Sequence, residues 1–518
     1  MPRGTIRIPL DPPMRGLRTD IPKHLVPDGY LVGGKNVLCR DGVILVRPGQ
    51  IRVTTSPPSV DSVMGGIFYE DHIQAERTII GTTAGFHLYN GTSWADITGS
   101  ALTGGLANQV RFAAFPFANS TRIIAVNDID APQVYTGTGN FAALAGSPPI
   151  AKDVTVAFER VILGNVTVGG TRQSSSLWVS GFQDTTAWSA LREVNLPDAK
   201  DSIVAVRSLN PQVFAVYKDW SQWVGIGTGG LFPFVFELRG NQAGPVSPAS
   251  VVVAENVHYY IGQDGDVYRF DGDRATAIGG SIKRLIQSDM YWVNRGRTHG
   301  AFDPLNREVW WFWESGLSGS PTVGITYRLP YEDIPGAFST LHYYARPLSA
   351  SFGWRLTTVL TWDGLTGTWD KLPYPTWDSM LMRGRPALLT GGVNGQVYNF
   401  GLGRGDDGFS YEAVWDLPWR QIAGPGENTR VDAIESFFKL EGTGMYTEII
   451  LIKSDTLSSD EGTVATPQSV LLTSGEKLRA KYYNEEARFV AVRHRIPFAM
   501  GNHQYRGGVL YVYHRGEG

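Results

Sequence analysis

Carboxylates are the side chains of this sequence with the most direct catalytic use. Glycoside hydrolases cleave their substrates with a pair of carboxyl groups, one acting as an acid and the other as a base or nucleophile. Residue type alone makes five positions candidates: Glu70, Asp71, Glu193, Glu308 and Glu314. No motif joins any two of them, so we predict no catalytic residues and expect that the protein is not an enzyme.

Two acidic turns and one glycine-rich run have the residue types of ligand sites. Asp264-Gly265-Asp266 and Asp271-Gly272-Asp273 offer oxygen ligands for calcium. The sequence around them does not have the invariant glycine and the final glutamate of the EF-hand loop pattern. Asp-Gly pairs are also common hairpin turns, which need positive φ. The run 225–230 is followed by a strand-like segment, where a phosphate loop needs a helix. We therefore predict turns at all three, with no bound metal or cofactor.

Cysteine and histidine chemistry is also poorly supported. Cys39 is the only cysteine, which excludes an intramolecular disulfide and a cysteine-rich zinc site. It lies in a strand pattern, so we predict a small buried residue. The G-x-S-x-G and H-E-x-x-H motifs are absent, and no two histidines have metal-ligand spacing. The histidines are His24, His72, His87, His258, His299, His342, His494, His503 and His514.

The aromatic run Trp310-Trp311-Phe312-Trp313 could stack against sugars. Successive residues of a strand point to opposite faces, so at most half of the run can line one surface. We predict that it packs in the core.

The composition indicates many short strands. Of 518 residues, 18% are charged, against about 25% in typical domains, while 61 are glycine and 12% are aromatic. The formal net charge is −3, which does not favour nucleic-acid binding. No 18-residue apolar run or signal-peptide core occurs, so we expect no membrane span and synthesis in a reducing cytoplasm.

Internal repeats are the strongest indication of architecture. Four stretches combine an apolar run, a turn and an alternating run with a tyrosine: 78–91, 122–137, 257–272 and 387–401. Weaker copies begin near 160, 213 and 307. Most intervals match the roughly 40–50 residues of a four-stranded propeller blade. The sequence thus predicts a mainly β protein, a β-propeller of six or seven blades with an additional C-terminal antiparallel β domain. A large β-sandwich with regular hairpins is the alternative. The long interval between 307 and 387 indicates an insertion or a further copy near 357–364.

Three regions follow from this pattern. Residues 1–60 are predicted to be an extended N-terminal arm that joins the propeller, either closing the first blade or reaching a neighbouring molecule. Residues 61–410 are predicted to form the propeller, and 411–518 the C-terminal β domain. Few helices are predicted, and the best candidate is 281–290, with Ser281 as its N-cap.

Three segments resemble tail hub or nozzle proteins, also called packaged-DNA stabilisation proteins, of short-tailed bacteriophages. Residues 29–49 are similar to the entry segment of that family, which has an Asn-Val pair, then a strand, then Arg-Pro-Gly. Here these residues are Asn36-Val37 and Arg47-Pro48-Gly49. Residues 241–272 and 177–190 resemble its blade hairpins. These signatures are structural, and they cover about 30–400.

The resemblance implies a virion structural protein of the tail, made in the cytoplasm of a host bacterium. Its copies would form a ring, expected to be a hexamer, below the portal and adaptor proteins and in contact with tail fibres or spikes. The ring would extend the portal channel, retain packaged DNA without binding it specifically, and open for genome ejection. Two alternatives remain: a carbohydrate-binding propeller that recognises a receptor, and a glycoside hydrolase. Sialidase-type propellers repeat Ser-x-Asp-x-Gly-x-x-Trp, whereas 180–188 lacks the glycine and is not repeated.

Overall fold

The computed structural model describes residues 5–40, 42–73, 75–117, 120–189, 193–196, 201–228, 233–316, 321–356, 385–403, 405–424, 429–440, 444–453, 463–464, 468–472, 475–499 and 503–513. The predicted fold class, a β-propeller with a further β domain, is confirmed.

The strands follow one another along the whole chain. The N-terminal strands are β1 (Thr5–Leu10), β2 (Gly33–Lys35), β3 (Val37–Arg40), β4 (Val43–Val46) and β5 (Gly49–Arg52). Blades one to three contain β6 (Val63–Glu70), β7 (Glu76–Thr82), β8 (Phe86–Tyr89), β9 (Trp94–Asp96), β10 (Arg111–Phe117), β11 (Ser120–Val126), β12 (Gln133–Tyr135), β13 (Ala142–Ala143), β14 (Ile150–Ala157), β15 (Arg160–Val168), β16 (Thr171–Val179) and β17 (Glu193–Asn195). Blades four and five contain β18 (Ile203–Asn210), β19 (Val213–Lys218), β20 (Gln222–Gly227), β21 (Phe234–Gly240), β22 (Val252–Ala254), β23 (Val257–Ile261), β24 (Val267–Phe270) and β25 (Ala275–Ala277). Blade six contains β26 (His299–Asp303), β27 (Glu308–Trp313), β28 (Val323–Arg328), β29 (Ala337–Phe338) and β30 (His342–Tyr343), and blade seven contains β31 (Leu348–Leu356), β32 (Arg385–Gly392) and β33 (Val397–Gly403) with β5.

Seven blades close into a ring within the described residues. The first strands of neighbouring blades pack together, and β31 of blade seven packs against β6 of blade one. Blades four and five meet through a short 3-10 helix (Pro248–Ser250). Apolar clusters fill the spaces between blades, as a propeller requires because each sheet buries both faces.

The repeat pattern identified the second strand of every blade. The predicted starts at 78, 122, 160, 213, 257, 307 and 387 fall in or beside β7, β11, β15, β19, β23, β27 and β32. The long interval before 387 contains the connection from β31, which ends at Leu356, to β32, which begins at Arg385. The possible further copy at 357–364 lies outside the described residues.

The N-terminal segment takes part in both halves of the molecule. Strand β5 pairs with β33 and so completes the seventh blade rather than the first, the arrangement that closes the ring. Strands β1, β2 and β4 instead pair with C-terminal strands, and β3 joins the same sheet through β4. Strands from both ends of the chain therefore form one shared domain.

That domain is a sandwich of two antiparallel sheets. Its C-terminal strands are β34 (Tyr411–Asp416), β35 (Arg420–Gln421), β36 (Thr429–Leu440), β37 (Gly444–Lys453), β38 (Thr463–Val464), β39 (Gln468–Leu472), β40 (Gly475–Ala487), β41 (Phe489–Ala499) and β42 (Gln504–Tyr513). One sheet has the order β3-β4-β42-β36-β40, with β1 also on β42. The other has the order β2-β34-β41-β37-β38, with β35 on β41 and β39 on β37. One apolar core runs from Trp311 and Val252 of the propeller to Trp415 and Val431 of the sandwich.

The predicted helix is present, but the prediction of its N-cap is wrong. Helix α1 (Lys283–Asp289) begins after Ile282, and no side chain caps it. Ser281 instead contributes its carbonyl oxygen, which accepts hydrogen bonds from the backbone and hydroxyl groups of Thr19 at 2.8 and 3.0 Å. The N-terminal segment therefore occupies this end of the helix. Two further 3-10 helices are Lys23–Leu25 and Trp292–Arg297.

Candidate functional site

Polar side chains from the first strands of the blades join neighbouring blades around the propeller axis. Asp153 of β14 is buried and pairs with two arginines, Arg111 of β10 and Arg207 of β18. Arg111 Nε lies 3.3 Å from Asp153 Oδ1, and the backbone N–H of Val206 donates to Oδ2 at 2.9 Å. Arg207 also donates to the carbonyl of Pro248 at 2.5 Å. These bonds join blades two, three, four and five.

Two arginines on one carboxylate leave an excess positive charge at the axis. Burial, together with the charge of Arg207, lowers the pKa of Arg111 to about 10. The guanidinium is still charged at neutral pH, since its pKa stays well above 7. We name Arg111, Asp153 and Arg207 the axial cluster.

The other blades are joined across the axis by uncharged groups. The carbonyl of Thr298 accepts from Gln109 Nε2 at 3.3 Å and from the hydroxyl of Ser247. His299 Nδ1 lies 2.9 Å from the hydroxyl of Ser351. Burial lowers the pKa of His299 to about 4, so the ring is neutral at pH 7. Bonds of this kind connect the blades near the centre of the propeller.

The candidate carboxylates do not come together at this axis. Glu308 of β27 is buried and pairs with Arg40 at 2.7 Å, and burial raises its pKa. Glu314 is also buried and pairs with Arg297 at 3.2 Å. Both therefore act as ion-pair partners within their own blade or with the N-terminal strands.

The remaining three candidates lie at other edges of the propeller. Glu193 is in β17, an outer strand, and accepts from Ser176 at 2.9 Å. Asp71 accepts two backbone N–H groups of its own turn, those of Ile73 at 3.0 Å and Ala75 at 2.9 Å. Glu70 is exposed at the end of β6. Glu193 thus belongs to blade three, and Glu70 and Asp71 are neighbours at one turn of blade one.

The carboxylates of the first acidic turn pair with a lysine side chain, where a calcium site would hold a metal ion. Lys283 Nζ lies 2.5 Å from Asp264 Oδ2 and 3.4 Å from Asp266 Oδ2. At the second turn, the backbone N–H of Asp273 donates to Asp271 Oδ1 at 3.3 Å. Gly225 and Gly227 lie in β20, whereas 229–230 fall outside the described residues. Among the described residues, no group of three or more histidine, cysteine and acidic side chains could hold a metal.

Cys39, the histidines and the aromatic run belong to the interior. Burial raises the pKa of Cys39 to about 12, which suppresses its reactivity. All four residues of the run 310–313 are at most 1% exposed, so the prediction of core packing is confirmed. His24 and His72 lie at the surface, and His514 is outside the described residues. The buried histidines are His87, His258, His299, His342, His494 and His503.

The most elaborate polar site joins the two halves of the molecule. Arg47 and Asp406 are both 0% exposed and form a two-pronged ion pair with distances of 2.8 and 2.6 Å. The guanidinium lies between the rings of Tyr344 and Tyr411, 4.4 and 3.8 Å from their centroids. It also donates to the carbonyl of Tyr343 at 2.8 Å. We call this site the Arg47 junction.

Asn36 completes the Arg47 junction. Its side-chain oxygen accepts from Arg47 Nε at 3.0 Å and from the backbone of Tyr343 at 2.8 Å. Its side-chain nitrogen donates to the carbonyl of Glu412 at 2.6 Å. Asn36 has a φ of 60°, a conformation that asparagine tolerates better than most residues. One side chain thus contacts the N-terminal segment, blade six and the sandwich.

A cleft of about 700 Å³ opens beside the junction, between blade six and the sandwich. Arg493 makes a two-pronged pair with Asp416 at 2.6 and 2.8 Å. Lys35 and Arg495 both pair with Glu412. The charges that line the cleft are therefore engaged with one another. Sequence reasoning missed this site because its residues lie in three distant segments, although the Arg-Pro-Gly step of 47–49 singled out its central residue.

Similarity to known proteins is confined to the fold. No family model and no curated protein sequence matches the chain. The solved structure of BBS1N in complex with ARL6DN has a TM-score of 0.38 and 9% identity, covering 69% of this chain and 98% of that one. BamB from Moraxella catarrhalis has a TM-score of 0.34 and 10% identity, covering 69% and 98%. A glycoside hydrolase family 43 arabinofuranohydrolase from Bacillus subtilis has a TM-score of 0.24 and 9% identity, covering 95% and 98%. Within the described residues, no helix is long and apolar enough to cross a membrane.

Proposed function

We propose that this chain is a structural component of a bacteriophage tail, a hub or nozzle subunit that forms a ring below the portal. Copies in the ring would extend the portal channel, hold back the packaged DNA and open for its ejection. Retention would be mechanical, with no chemical step and no sequence-specific contact to DNA. The neighbours would be portal and adaptor proteins and tail fibres or spikes.

The observation that carries this proposal is the Arg47 junction. Asn36-Val37 and Arg47-Pro48-Gly49 are the steps through which the sequence resembles the hub and nozzle family. Asn36 and Arg47 hydrogen-bond to each other there, and the surrounding contacts tie the N-terminal segment to the propeller and the sandwich. A wall element that resists the pressure of packaged DNA needs such a rigid connection.

Two further features favour a mechanical role over an enzymatic one. The axial cluster and its neighbours cross-link the blades where propeller enzymes place their substrate. The two buried candidate carboxylates, Glu308 and Glu314, are ion-paired. The carbohydrate-binding alternative loses its main motivation, because the aromatic run lies in the core.

Mass in solution and image symmetry test the proposal. The purified chain would be measured by light scattering and imaged by electron microscopy, alone and with portal–adaptor complexes. We expect a closed ring, with six copies on the portal end. A stable monomer that ignores portal–adaptor complexes would contradict the proposal. A glycan-array screen of the same preparation tests the receptor-binding alternative, which predicts specific binding where the tail-ring proposal predicts none.

A further inference from the structure

A small cavity lies between blade six and the N-terminal strands. Its volume is about 210 Å³. Arg40 of β3 lines one side, and Leu305 and Arg307 of the turn after β26 line another. Arg328, at the end of β28, and Tyr331 complete the wall. Typical sites for drug-sized ligands measure roughly 300–1,000 Å³, so this cavity suits a smaller molecule.

The wall carries an unbalanced positive charge. Three arginines line the cavity, and none of its described lining residues is acidic. Arg40 is paired with Glu308 at 2.7 Å, and Arg307 with Glu255 at 2.7 Å. Arg328 is the third arginine, and it forms no ion pair with a described carboxylate.

Arg328 is a buried cation whose hydrogen bonds are long. The residue is 8% exposed, and its Nη2 donates to the carbonyls of Met14 at 3.3 Å and Pro335 at 3.4 Å. Both distances are longer than those of ordinary charge-assisted hydrogen bonds. A guanidinium stays protonated in proteins, and burying a charge without a counter-ion is costly. Glu308, which faces Arg328 across the strand pair, is already engaged by Arg40, so the two arginines share one carboxylate.

The nearby carboxylates are committed elsewhere. Glu308 accepts both prongs of Arg40, at 2.9 and 2.7 Å. Asp303 accepts from the backbone of Leu305 at 3.0 Å and from the side chain of Asn306 at 2.7 Å, so it stabilises the turn. Neither carboxylate lines the cavity.

We propose that this cavity binds one small oxyanion, of the phosphate or carboxylate type, with Arg328 as its main partner and Arg307 at the rim. Arginine presents a planar fork of donors that matches both kinds of oxyanion. The aliphatic Leu305 beside the rim limits the room for a larger polar ligand. The proposal is independent of ring formation.

Calorimetric titration and thermal unfolding of the intact chain test it. Sodium phosphate and sodium acetate would be compared with sodium chloride at the same ionic strength. We expect at least one oxyanion to bind saturably and to raise Tm beyond the effect of chloride. Stronger binding of phosphate would assign the site to phosphate groups, and stronger binding of acetate to carboxylates.

Two variants connect the binding to the cavity. Arg307→Gln removes one charged donor at a partly exposed position and should weaken binding about tenfold, the effect of one charge-assisted hydrogen bond. Arg328→Gln should abolish binding, and if it fails to fold, Arg307→Gln decides. Arg172→Gln is the matched control, because Arg172 is a similarly exposed arginine that pairs with Asp128 on another blade. Equal effects of all three salts, or unchanged binding by Arg307→Gln, would overturn the proposal.

Discussion

The Arg47 junction and the axial cluster use the same chemistry with different balances of charge. At the junction, one arginine meets one carboxylate, and both are fully buried. At the axis, two arginines share Asp153, and Arg111 keeps 23% of its side chain exposed. The junction joins parts of the chain that are distant in sequence, whereas the cluster joins successive blades.

This difference indicates where the molecule depends most on a single contact. The blades are also held by apolar clusters between every pair of sheets, so the axial cluster is one bond among many. The sandwich shares a continuous core with blades five and six, but its polar contact to blade seven is concentrated at Arg47 and Asp406. A substitution of Arg47 or Asp406 should therefore destabilise both the propeller and the sandwich.

The largest effect is expected from Arg47→Ala. It leaves Asp406 buried without its counter-ion, with only the backbone N–H of Ala345 still donating to its carboxylate. Removing one member of a buried ion pair costs about 3–5 kcal/mol. Urea unfolding measures the loss in the free energy of unfolding. Arg52→Ala is the matched control, because Arg52 pairs with the adjacent Asp407 but is 43% exposed. It should cost less than about 1 kcal/mol, as exposed pairs do. Equal losses for both variants would show that burial does not distinguish these pairs.

Asp153→Asn should be the next most damaging change. It removes the negative charge that separates Arg111 from Arg207, and we expect a loss of about 3 kcal/mol. Arg111→Gln should cost less, because Arg111 is partly solvated and its loss relieves the repulsion from Arg207. The same urea measurements give the order. A larger loss for Arg111→Gln would contradict the charge balance described for the cluster.

Gly49→Ala tests the close backbone contact next to the Arg47 junction. A Cβ atom at Gly49 would lie 2.2 Å from the carbonyl oxygen of Gly405, and a backbone atom cannot move aside freely. We expect a loss of about 2 kcal/mol, typical of overpacking. Gly105→Ala is the control, since nothing lies within 4 Å of that Cβ position and its φ is not positive. A Gly49→Ala variant as stable as Gly105→Ala would mean that blade seven tolerates a displaced β5.

The last prediction concerns the pH dependence of stability and His299. Its pKa is about 4 when folded, below the ordinary 6.5, so the unfolded chain binds a proton that the folded chain does not. Stability from this group is complete above pH 6.5 and is lost as the pH falls from 6.5 towards 4, by at most about 1.4 kcal/mol per pH unit. Urea midpoints between pH 7 and 4.5 should fall less steeply for His299→Gln than for the wild type. An unchanged slope would show that His299 does not titrate on unfolding.

Local sequence patterns predicted the blades but not the contacts between distant segments. The second strand of each blade follows from an apolar run and a turn, both of which are local. That β5 completes blade seven, and that β1 to β4 belong to the sandwich, depends on pairing across hundreds of residues. Ser281 shows the same limit, because Thr19 occupies the end of its helix.

The sequence excluded familiar catalytic and metal-binding motifs, but it did not locate the Arg47 junction. Residue type suggested Glu308 and Glu314, yet their burial with Arg40 and Arg297 depends on tertiary packing. The Asn36-Val37 and Arg47-Pro48-Gly49 steps stood out in the sequence, whereas their partner Asp406 did not. An isolated Asp-Asp-Gly turn gives no sign that one carboxylate is fully buried and the next lies near the surface.

Hydrogen exchange measured by mass spectrometry tests most directly the claim that the Arg47 junction couples the two halves. The wild type would be compared with Arg47→Ala and Arg52→Ala under native conditions. We predict that Arg47→Ala speeds exchange on both sides, in β5 of the propeller and in β2 and β34 of the sandwich. Arg52→Ala should leave exchange in β2 and β34 unchanged. Faster exchange in Arg47→Ala on one side alone, or on neither, would contradict this claim.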